Sequence, residues 1–107
     1  MTDITPYLNE PAILNATAQQ VIKDFGMLGM EINFSGYTGN TYVELFAQIL
    51  PHIEHLLKTN TENFYSLLYR IDLSETQVKK AVEQNNNLSF AEIVTDLILK
   101  RELLKVV

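Results

Sequence analysis

The chain has no cysteine and no tryptophan, only four glycines and three prolines in 107 residues, and a single Lys or Arg before residue 58. Without thiols there is no disulfide framework, thiolate zinc site, iron–sulfur cluster or cysteine nucleophile, and these exclusions remove many small-domain chemistries together. Nor is there a continuous apolar run of the roughly 20 residues that a membrane-spanning helix needs. The segment Met1 to Glu10 carries Asp3 and Glu10, no Lys or Arg and no apolar stretch, so no secretory or transit segment is expected and a cytoplasmic location is.

What the chain does contain is apolar and well dispersed. With 47% hydrophobic and 20% charged residues it is too apolar to stay disordered, and its length suits a single helical domain over residues 1–107. The net charge of −5 is unevenly placed: residues 1–57 hold six acids against one base, Lys23, while residues 58–107 hold seven of each. Such a balance repels phosphate backbones and anionic lipid, so neither nucleic acid nor a membrane is expected as the main partner.

Periodicity then predicts helices. Leu14, Ala18, Val21, Ile22 and Phe25 form a helical stripe over about 10–25, and Gly26 stands where a left-handed terminal residue is wanted. All four glycines (Gly26, Gly29, Gly36, Gly39) lie in an excursion at 26–40, in which Met30, Ile32 and Phe34 alternate like a short strand with no second strand to pair with. Thr41 and Glu44 have the spacing of a capping box, and Leu45, Ile49, Ile53 and Leu56 keep one face apolar straight through Pro51, which predicts a kink at 47–51 or two collinear helices. Thr59 and Glu62 open a third helix with Phe64, Leu67, Leu68 and Ile71 inside. Two further starts pair a capping box with a hydrophobic staple: Ser74 and Gln77 with Leu73 and Val78, then Ser89 and Glu92 with Leu88 and Ile93. The expected fold is an all-α bundle of about five amphipathic helices with a glycine-rich extended excursion at 26–40.

Candidate functional residues are few. His52 and His55, three apart on one helix with Glu44 and Gln48 on the same flank, could share a metal, although a pair without a third ligand is more often solvated. Ser35, Gly36, Thr38, Gly39 and Thr41 combine glycines, hydroxyls and a helix start, the material of a ligand loop, while Glu31 and Glu44 nearby oppose an anion. Leu67 to Ala81 can be laid on a helix-turn-helix by apolar spacing, with Asp72 where that motif has its turn glycine, yet Lys79 and Lys80 on the outward face are diluted by Glu75 and Glu83. Tyr65 and Tyr69 flank the third helix's stripe as a core margin or a recognition surface.

The last helix has two apolar sides. Phe90, Val94, Leu97 and Leu104 share one face, with Arg101 in its middle, where it either pairs with a carboxylate such as Asp72 or marks a helix leaving the core. Leu99, Leu103 and Val106 form a second strip opposite. A two-faced helix is either buried centrally or docks on another chain, and self-association is expected through Leu99, Leu103 and Val106 with Arg101 at the rim. Residues 67–75 (LLYRIDLSE) and 97–106 (LILKRELLKV) resemble segments of small uncharacterised all-α proteins from bacteria, a resemblance that implies a bacterial cytoplasmic protein and assigns no residue a role. No nucleophile, base and orienting group recur at a catalytic spacing. The expectation is therefore a non-catalytic, cofactor-free protein–protein interaction module that forms a homodimer, with a ligand- or metal-binding protein built on the 35–41 loop and the His pair as the alternative.

Overall fold

A computed structural model describes residues 3–107 and is all-α: α1 (Pro11–Gly26), α2 (Thr41–Thr59), α3 (Thr61–Ile71), α4 (Glu75–Gln84) and α5 (Phe90–Val106), with short 3-10 turns at Thr5–Tyr7 and Thr38–Asn40. The helices begin where backbone N–H groups find acceptors. At both Ser74 and Ser89 the serine hydroxyl accepts the N3 amide at 3.1 Å, and the Gln77 and Glu92 side chains accept the serine amides at 3.0 and 2.9 Å. The two other expected boxes form differently. Asn60, one residue after Thr59, caps α3 through its side-chain oxygen, and the Glu44 carboxylate leaves the start of α2 to bind Ser35.

Helix ends follow the same logic. The left-handed residue after α1 is Gly29 (φ 77), not Gly26, because the Met30 amide reaches back to the Phe25 carbonyl and the Gly29 amide to that of Gly26. Asp72 (φ 61) closes α3 in the same way, with Leu73 bonding to Leu68 and Asp72 to Tyr69. Helix α2 runs unbroken through Pro51, which lies on its exposed side and deprives the Ala47 carbonyl of its usual donor.

Helix α5 is the axis of the bundle. It packs against α1, α2, α3 and α4, so apolar residues on both its sides find neighbours, and Ile93, Val94, Leu97, Ile98, Leu99 and Leu103 are all buried. Each such side chain contributes roughly 2 kcal/mol by leaving water. Helix α4 is the contrast: Val78 is its one buried residue, and it is held mainly by α5.

The extended part of the excursion needs no second strand. Met30 and Ile32 enter the core, while one side of α2 satisfies backbone groups at Glu31, Asn33 and Ser35. Gln48 accepts the Asn33 amide (2.8 Å) and donates to the Asn33 carbonyl (2.7 Å), Glu44 accepts the Ser35 amide (2.7 Å), and His52 Nε2 lies 3.2 Å from the Glu31 carbonyl. The match is one of pitch: two extended residues advance about 6.7 Å and four helical residues about 6 Å, so residues 31, 33 and 35 meet 52, 48 and 44 in turn.

Candidate interaction surface

The structure places the expected interface residues inside the molecule. Leu99 and Leu103 are only 4% and 3% exposed and belong to the core between α5 and its neighbours, so they are not a surface strip. Val106 is half-buried. Arg101 is engaged within the chain: its Nε donates to the Ile71 carbonyl at 3.2 Å and its Nη2 to Asp72 at 2.9 Å, capping the end of α3. That pairing with Asp72 was one of the two options the helical wheel left open. The expected interface through Leu99, Leu103, Val106 and Arg101 is therefore corrected: Leu99 and Leu103 are a buried packing seam, because four surrounding helices use both apolar sides of α5, and Arg101 is tied to the end of α3.

The candidate ligand loop is internally occupied. The Glu44 carboxylate takes both the Ser35 amide and the Ser35 hydroxyl (2.7 and 2.8 Å), filling with the chain's own anion the donors that a ligand would use. The Tyr37 amide bonds to the Ser35 hydroxyl, Thr41 Oγ1 donates to the Thr38 carbonyl, and the Tyr37 ring lies over Gly39 so closely that a Cβ there would collide. Gly36, at φ 90, supplies a left-handed turn. The histidines are also apart in role. A carbonyl only accepts, so His52 carries its proton on Nε2 to bond Glu31, with its ring beside Phe25, while His55 is exposed. Among the described residues no group of three or more His, Asp or Glu is arranged to hold a metal, and no helix is long and apolar enough to cross a membrane.

Exposed apolar side chains gather instead around the N-terminal end of α5. On one side, Tyr42, Val43, Phe46 and Ala47 of α2 face Glu92 and Asp96 of α5 across a groove of about 490 Å³ closed by Leu88. Val43 is 63% and Leu88 48% exposed. Tyr42 donates to Asp96 at 2.6 Å and ties the two walls together; burial and this hydrogen bond raise its phenol well above its ordinary pKa, so it stays a donor. On the other side, Phe64, Tyr65 and Leu68 of α3 and Val78 and Val82 of α4 border a groove of about 480 Å³ that Phe90 also lines. Phe90, assigned by periodicity to the core, is half in solvent, with its ring tilted against that of Phe64 at 6.2 Å.

At the other end of α5 the unusual residues are charged. Asp24 of α1, 2% exposed, accepts from Gln20 (3.1 Å), Arg70 Nε (3.1 Å) and Lys105 Nζ (2.8 Å), joining α1, α3 and α5. Glu102 is fully buried beside it, and neither of its oxygens has a hydrogen-bond donor; Lys105 lies 3.3 Å away without the alignment of a bond. Burial, then the adjacent Asp24, push Glu102 up to about 8, so at neutral pH it is an uncharged acid able to donate to Asp24. Burial works against Asp24 too, but its donors Lys105, Glu102 and Gln20 outweigh it and hold that carboxyl below its usual value. Both carboxyls lie inside the bundle, away from the surface grooves.

Charge patterning alone pointed to neither the grooves nor the buried cluster. Comparisons with protein families, with curated proteins and with solved structures found nothing that matches this chain.

Proposed function

We propose that this chain is a non-catalytic protein–protein interaction module whose contact surface is the pair of apolar grooves flanking the start of α5. The observation that carries the reading is the concentration of exposed apolar and aromatic side chains at one end of a small bundle, on walls fixed by α2, α3, α4 and α5. Scattered apolar residues are ordinary on protein surfaces, whereas contiguous grooves of this kind mark places where another chain is covered or covers. Self-association, if it is the biological contact, uses these grooves, since the second strip of α5 is core.

The test is a photo-activated cross-linking side chain placed in turn at Val43, at Leu88 and, as a control, at exposed Lys23, in cells that make the protein. A defined protein adduct, of this chain or another, is expected at Val43 or Leu88 and not at Lys23. Equal labelling at all three positions, or none, would overturn the reading.

A further inference from the structure

The α2–α5 groove has a polarity that narrows what it can hold, and the argument rests on the protein-interaction reading above. Its floor is apolar, from Val43, Phe46 and Ala47, and one wall carries Glu92 and Asp96, four residues apart and so about 6 Å along α5. Hydrogen bonding within the capping box keeps Glu92 ionised. Asp96 accepts from Tyr42 and is ion-paired with Lys100 at 2.8 Å, which partly offsets its charge. On the facing wall the Ala47 carbonyl has no i+4 amide to accept from, because that position is Pro51. Tyr42 has already committed its hydroxyl proton to Asp96. The polar side chains and this carbonyl thus present acceptors and no uncommitted donor.

We infer that this groove binds an amphipathic helix of a partner protein, one with Lys or Arg spaced four residues apart beside its apolar stripe. A groove of acceptors without free donors gives an extended peptide no main-chain ladder, whereas a helix satisfies its main chain internally and offers only side chains. Residues at i and i+4 on that helix match the one-turn spacing of Glu92 and Asp96. The net charge of −5 favours the encounter with a cationic segment. The neighbouring α3–α4 groove does not share this polarity, since Lys79 stands between Glu75 and Glu83 on its rim.

The probes are synthetic peptides of about 20 residues, long enough to populate a helix, with an identical Leu stripe. One has Lys at the flanking i, i+4 positions, one has Glu there, and one is the Lys peptide interrupted by proline. Binding to the full chain is read by fluorescence anisotropy, with methyl NMR to locate it. The Lys peptide is expected to bind at least about tenfold more tightly than either of the others, with shifts at Val43, Ala47 and Leu88. Val43→Glu, at a position 63% exposed, is expected to fold and to weaken the Lys peptide about tenfold even though it makes the protein more acidic; Leu88→Glu repeats the test from the groove's end. Unchanged or tighter binding by Val43→Glu would mean charge attraction alone and overturn the inference. So would equal affinity for the Glu or the proline peptide, shifts confined to α3 and α4, or no binding. A cross-linked partner at Val43 without a cationic helix would defeat this inference and leave the interaction reading standing, whereas absence of any adduct defeats both.

Discussion

At its C-terminal end α5 buries charge, and at its N-terminal end it leaves apolar groups in water. Around Glu102 two acids are taken out of solvent beside two partly exposed bases, and they persist there because Asp24 is ringed by donors while Glu102 gives up its charge. Around Phe90 and Leu88 the reverse holds: side chains that would gain by burial stay half-exposed where the two grooves open on either side of α5. The first end is closed within the chain, with only the Glu102 oxygens left without a donor, while the second is open to solvent. Burial alone identifies neither; what distinguishes them is whether each group's requirement, a hydrogen-bond partner or an apolar neighbour, is met within the protomer.

The most severe way to break this contrast is to put charge into the seam between the ends. Leu99→Glu combined with Leu103→Glu places two carboxylates in a core that offers them no donors, and the expected result is an unfolded chain by circular dichroism. A folded, soluble monomer would return the strip to the surface. Next in size is Asp24→Ala, which leaves Arg70 and Lys105 without their shared acceptor. Because both cations keep partial contact with solvent, the loss expected in urea titration is about 3 kcal/mol, at the lower end for a broken buried pair.

The pH response sharpens the same end. Glu102 titrates at about 8 in the folded chain against 4.5 ordinarily, so between these values the folded state holds a proton that the unfolded state has lost. Stability therefore falls as pH rises from about 4.5 to about 8 and then levels. Asp24 acts oppositely: its stabilisation is present above its ordinary 3.8 and is lost as pH falls below it, which places the optimum in the mildly acidic range. Glu102→Gln keeps a neutral side chain that can donate to Asp24 and removes the descending limb. It is expected to be more stable than the parent near pH 9 and to match it near pH 5, measured by denaturant titration across pH. An unchanged slope in the variant would assign the dependence to other groups. The smallest effect belongs to the open end: Ser89→Ala removes one hydroxyl acceptor from the first turn of α5 and should cost about 1 kcal/mol in denaturant titration at neutral pH.

Local chemistry was legible in the sequence wherever it was self-contained. The boxes at Ser74 and Ser89 close within four residues, and both formed as read. The spacing at Thr41 and Glu44 was equally suggestive, yet Glu44 found the Ser35 amide and hydroxyl, because an extended segment with unmet donors ran alongside α2. The unpaired alternation at Met30, Ile32 and Phe34 was visible as a problem; its solution, a row of helix side chains at Glu44, Gln48 and His52, was not, since a chain with a single extended segment gives no sign of which face will satisfy it. Gln48 stood out in the sequence only as a neighbour of the histidines.

For this protein the sequence by itself determined the all-α class, the number of helices and most of their starts, because hydrophobic period and capping act over a few residues. It also showed that the last helix is apolar on two sides and that Arg101 is out of place on one of them. Only the tertiary structure decided that both sides are core, that Arg101 caps α3, that Asp24 and Glu102 share a buried cluster, and that Val43 and Leu88 border a groove. Those outcomes depend on which helices surround α5 and where they part. Contacts between residues far apart in the chain set that arrangement, and no local pattern encodes it.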